Sequence, residues 1–135
     1  MSYQLFEVFG IELEYMLVNS VTLKVNPAVD KLFIKKNGFL TSDVENGKIE
    51  WSNELVAHVV ELKTNGPTAD LESLDELFAE NIKEVNLLLK DLGTQLLPTA
   101  AHPLMHPETE MQLWQHSYSK IYACLLYTSP SPRDS

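Results

Sequence analysis

Two glutamates spaced two residues apart, Glu12 and Glu14, stand in the stretch Gly10-Ile11-Glu12-Leu13-Glu14. On an extended strand such residues share one face, about 6–7 Å apart along it. Acids on one face of an otherwise apolar strand are costly to bury unless a cation sits beside them. Magnesium suits that role, because it takes carboxylate and phosphate oxygens together. A solvated second face of an antiparallel sheet accounts for the same pattern, and both readings stand on spacing alone. A third acid, Glu61, lies in the apolar run Val59-Val60-Glu61-Leu62-Lys63-Thr64. Strand alternation puts it on one face with Leu55, Ala57 and Val59, so it either pairs with a lysine such as Lys63 or is functional. Glu54, at the start of the same run on the other face, reads as a solvated end residue.

Other site chemistries find less support. His58, His102, His106 and His116 show no H-x-x-x-H spacing. His58, at the centre of the run, reads as a core histidine that has found a hydrogen-bond partner. The chain has no G-x-x-x-x-G-K-[ST], G-x-G-x-x-G or G-x-S-x-G motif. Its formal net charge is −9, which repels phosphate backbones and argues against a nucleic-acid partner. Arginine, the residue best suited to bidentate phosphate recognition, occurs once, at Arg133. Phosphate neutralisation would therefore fall to lysines and metal ions. The one cysteine, Cys124, excludes an internal disulfide. No apolar run is long enough to span a membrane and no basic stretch leads into an apolar one at the start, so the expected setting is cytoplasmic, without a membrane partner.

The elements that would position these groups follow from periodicity. Tyr3 to Val18 reads as a long strand with Ile11, Leu13, Tyr15 and Leu17 on one face and Gly10, Glu12, Glu14 and Met16 on the other. Asn26-Pro27 offers an N-cap and first helical residue, and Lys36-Asn37-Gly38 a turn. Thr41–Val44 and Lys48–Trp51 pair as a hairpin around Glu45-Asn46-Gly47. Leu55 to Thr64 is an apolar strand. From Asp70 to Leu92, Leu71, Leu74, Leu77, Phe78, Ile82, Val85, Leu88, Leu89 and Leu92 form one helical stripe, capped by Thr68 or Asp70 and ended by Gly93. Leu96 to Ala101 is a short strand, and Pro107 opens a helical stretch through Tyr122. Hairpin-sized gaps between strands argue for α+β with a mainly antiparallel or mixed sheet packed by the long amphipathic helix.

From Cys124 the sequence turns to Ser/Pro repetition, and Cys124 to Asp134 resembles one translated frame of a sequencing-library adapter. Residues 124–135 are accordingly expected to be a non-native tail, with the native text ending at Ala123.

The order of Gly10-Ile11-Glu12-Leu13-Glu14, Glu54, Val60-Glu61-Leu62-Lys63-Thr64, the long helix and Leu96 to His102-Pro103 resembles the glutamate–cysteine ligase and carboxylate–amine ligase family of the glutamine-synthetase-like fold. The resemblance covers residues 3–123 and implies the N-terminal part of a catalytic domain, an incomplete glutamine-synthetase-like fold. It implies ATP-dependent formation of γ-glutamylcysteine from glutamate and cysteine through an acyl phosphate, the first step of glutathione synthesis. It further implies Mg2+ at Glu12, Glu14 and Glu61, and substrate or nucleotide contacts at Thr64 and His102. The catalytic residues and the oligomeric state remain unassigned. The sequence departs from the family in offering Gln115 and His116 where an arginine is common after the His-Pro step, and the resemblance implies further metal and phosphate ligands on downstream strands that this text lacks, so this polypeptide is expected to be inactive by itself. Two further readings stay open: a non-catalytic acidic binding or regulatory module, and a carboxylate–amine ligase acting on a different amine.

Overall fold

The computed structural model describes residues 8–69, 72–98 and 107–114. Five strands form one antiparallel sheet in the order β2-β3-β4-β1-β5, with β1 at Glu12–Asn19, β2 at Asp43–Asn46, β3 at Ile49–Asn53, β4 at Val59–Thr64 and β5 at Thr94–Leu97. Helices α1 (Val29–Asn37) and α2 (Leu74–Lys90) cover one face, and a single turn, α3, spans Pro107–Glu110. The fold is α+β.

The first strand divides the molecule by its alternation. Ile11, Leu13, Tyr15 and Leu17 enter the main core with Trp51, Val60, Leu62, Leu32, Phe33, Phe78, Val85 and Leu89. Met16 and Val18 point the other way, into a smaller cluster with Val59. Glu12 and Glu14 share that second face, as their spacing requires. The part of the expected Tyr3–Val18 strand before residue 8 lies outside the described residues. Beyond it, Phe9 pairs with Thr68 as an isolated bridge before β1 begins.

Several boundaries differ from the sequence reading, each for a local reason. Helix α1 starts at Val29, not at Pro27, because the Asn26 side chain donates to Thr94 Oγ1 at 2.6 Å instead of capping. The N–H of Val29 is satisfied by the carbonyl of Ala57 at 3.2 Å, so no side-chain cap is needed. The Leu55–Thr64 strand begins only at Val59, after a turn in which Val59 N–H donates to the Val56 carbonyl. Leu55 and Ala57 instead exchange backbone bonds with residues 112–114, and Trp114 buries itself against Phe33 with ring centroids 6.1 Å apart. The hairpin forms with Asn46 opposite Ile49, leaving Gly47 and Lys48 as its loop, and Gly47 takes the positive φ that such a loop demands. On α2 the N-cap residue is Ser73, with no side-chain cap bond, and Asp70 and Leu71 lie outside the described residues. Strand β5 opens two residues earlier than expected, at Thr94, directly after Gly93 turns the chain with φ +61°.

Candidate functional site

Glu14 and Glu61 meet because β1 and β4 pair with these residues directly opposite one another. Side chains at opposed positions of an antiparallel pair stand about 5 Å apart at Cβ, and like charges there are unfavourable. Glu54 joins them from the residue just beyond β3. The three carboxylates each offer an oxygen within 4.8 Å of the other two. Glu14 is exposed, Glu54 half-buried and Glu61 only 7% exposed, so the group runs from the surface into the sheet.

Electrostatics show what holds this arrangement. At 4.8 Å and an effective dielectric near 20, two like unit charges repel by roughly 3.5 kcal/mol. The molecule relieves that repulsion in two ways. Burial, a hydrogen bond with Glu61 and the charges of Glu61 and Glu14 push the Glu54 carboxyl up to about 7, against a small opposing bond from the Leu55 backbone. Glu54 therefore holds a proton well above the usual carboxylate range. Lys63 supplies the other compensation, its Nζ lying 3.5 Å from Glu61 Oε1. A divalent cation would replace both, and an oxygen-only set of three carboxylates is the donor chemistry that Mg2+ or Mn2+ takes.

The expected site residues divide between this group and its surroundings. Glu12 is exposed, opposite Lys63 and two residues along β1 from Glu14, outside the three-carboxylate group. Thr64 lies at the end of β4, where its Oγ1 accepts from the N–H of Ile11 at 3.2 Å. It lines a cleft of about 300 Å³ with Phe9, Gly10, Ile11, Glu12 and Lys63. His102 lies outside the described residues, as do His106, His116 and the boundary expected at residue 123. His58 is buried, in the turn before β4 and not at a strand centre, and its carbonyl accepts from Leu17 N–H at 2.7 Å. Glu54 is the residue the sequence reading set aside. Its missed signal was its place beside Asn53, where β3 stops and the chain turns back toward β4.

The antiparallel sheet thus carries its helices on one side and its clustered carboxylates on the other, an α+β frame. The chain belongs to glutamate-cysteine ligase family 2, whose sequence model it matches over residues 8–127. No curated protein and no solved structure matches it. Among the described residues, no helix is long and apolar enough to cross a membrane.

Proposed function

We propose that this chain contributes the acidic metal centre of an ATP-dependent ligase that joins glutamate to cysteine, acting in the cytoplasm on small-molecule substrates. The observation that carries the reading is the convergence of Glu14, Glu54 and Glu61 within 4.8 Å on the open face of the sheet, in a chain of this ligase family. Activating a carboxylate with ATP brings a carboxylate and a polyphosphate together, and that crowding of negative charge must be offset. Held by these three residues, a Mg2+ ion would supply that offset. Glu61, buried and fixed by strand pairing, is the rigid member; Glu14 and Glu54 approach it from the adjoining strand and from the turn.

The chemistry that follows is phosphoryl transfer and then acyl transfer. The side-chain carboxylate of glutamate attacks the terminal phosphorus of ATP and ADP leaves. The cysteine amine then attacks the acyl carbon, phosphate leaves and the amine gives up a proton. Neutralising phosphate in this sequence falls to lysines and the metal ion, since its only arginine is Arg133.

The test is binding before turnover. Mn2+ should bind with a stoichiometry near one, ATP should bind only with a divalent cation present, and Glu61→Gln should abolish both. ATP binding that is indifferent to EDTA and to Glu61→Gln would overturn the reading. Incubated with Mg2+, ATP, glutamate and cysteine, this polypeptide alone is expected to release phosphate at background.

A further inference from the structure

Lys63 stands where two features of the open sheet face meet. Strand pairing sets it between Glu12 on β1 and Glu50 on β3. The positions that share this face across the paired strands are Glu45, Glu50, Lys63 and Glu12 in one row and Asp43, Ser52, Glu61 and Glu14 in the next. Among these described positions Lys63 is the one cation. Its amine lies 3.5 Å from Glu61 Oε1, and the same side chain lines the cleft beside Gly10 and Thr64, where it is again the one cation among the lining residues. Its side chain is 30% exposed. A lysine ammonium is a compact charge on a flexible four-carbon stem, able to exchange one partner for another without moving the backbone.

Resting on the proposed metal centre, we infer that Lys63 is a transferable counter-charge that makes nucleotide binding follow metal binding. Before a divalent cation binds, Lys63 neutralises Glu61. A cation on Glu14, Glu54 and Glu61 takes over that neutralisation and repels the ammonium, which turns to a phosphate group in the cleft. Thr64 is suited to the same anion: its Oγ1 accepts from Ile11 N–H, which leaves its hydroxyl hydrogen to donate. Lys63 is thus a competitor of the metal and a partner of the phosphate, two roles with opposite signs in one variant.

That opposition supplies the experiment. Mn2+ binding is followed by electron paramagnetic resonance, and ATP binding at saturating Mn2+ by calorimetry, on the 135-residue chain and on Lys63→Met and Lys63→Arg. Lys63→Met is expected to bind Mn2+ two- to tenfold more tightly and ATP at least tenfold more weakly; Lys63→Arg should recover most of the ATP affinity. ATP affinity unchanged in Lys63→Met overturns the inference. So does weaker Mn2+ binding, which would make Lys63 a support for Glu61 and nothing more. No Mn2+ binding by the unaltered chain removes the carboxylate centre itself and this inference with it. Should Lys63→Met fail to fold, Lys63→Gln carries the same two predictions.

Discussion

A proton held by Glu54 lets three carboxylates share a space 4.8 Å across, and that proton has a consequence for stability. Glu54 gives up its proton near 4.5 when free and only near 7 in the fold, chiefly because burial and the hydrogen bond with Glu61 favour the neutral form. Between these values the folded chain binds more protons than the unfolded one, so stability falls as pH rises through the window and levels off above it. Urea unfolding in EDTA from pH 4 to 8 should show this loss in the wild type and a shallower one in Glu54→Gln. A difference between the two that stays constant with pH would refute the retained proton. Glu14 stood out in advance because strand alternation has a period of two, and Glu61 because it is an acid inside a continuous apolar run. Glu54 did not. Its side depends on where β3 ends and how the chain turns at residues 56–59, and a single uninterrupted strand from residue 55 points it elsewhere.

At the scale of elements, one buried amide ties helix to sheet. Asn81 of α2 is 6% exposed and accepts at Oδ1 from Trp51 Nε1 and Asn46 Nδ2, each at 2.8 Å, while its own Nδ2 donates to the Leu77 carbonyl at 2.7 Å. It fastens the β2–β3 hairpin under the helix, and the hairpin ends beside the carboxylates. Asn81→Leu keeps the branching and heavy-atom count but strands the buried indole N–H of Trp51, and should cost roughly 1–3 kcal/mol in chemical denaturation. A loss below about 0.5 kcal/mol would mean that water or a neighbour takes over the bond. The helix itself was plain from its leucines, and the stop of α1 from Gly38, a residue type that takes the positive φ of a C-cap at little cost. Helix α2, expected to run to Leu92 and end at Gly93, instead stops at Lys90 with Asp91 as its C-cap, and Gly93 turns the chain into β5. Asn81 escaped notice because its importance comes from Trp51, thirty positions away in sequence, and periodicity carries no such information. The start of α1 failed for a related reason. Asn26 is a good cap by type, but Thr94 competes for its side chain and Ala57 serves the backbone donor.

Over the whole molecule the sheet is two different surfaces. One face holds the apolar core under α1 and α2; the other gathers six acids in two adjacent rows, from β2 to β1, with one lysine among them. Part of the chain's net charge of −9 is thereby concentrated on one side, where like charges directly opposed on neighbouring strands oppose folding. A ligand that binds only the folded arrangement reverses that cost. By mass action a cation at one hundred times its dissociation constant stabilises by about 2.7 kcal/mol, which for a domain of this size raises the melting temperature by on the order of 10 °C. Mg2+ should therefore raise the melting temperature well beyond what Na+ does at equal ionic strength, since Na+ only screens. Glu61→Gln alters the comparison in a telling way. Removing a charge from the crowded face can leave the metal-free chain as stable as before or more so, yet the increment on adding Mg2+ should vanish. If Mg2+ and Na+ act alike on the wild type, the acidic face is a solvated surface, and the non-catalytic reading of this chain gains accordingly.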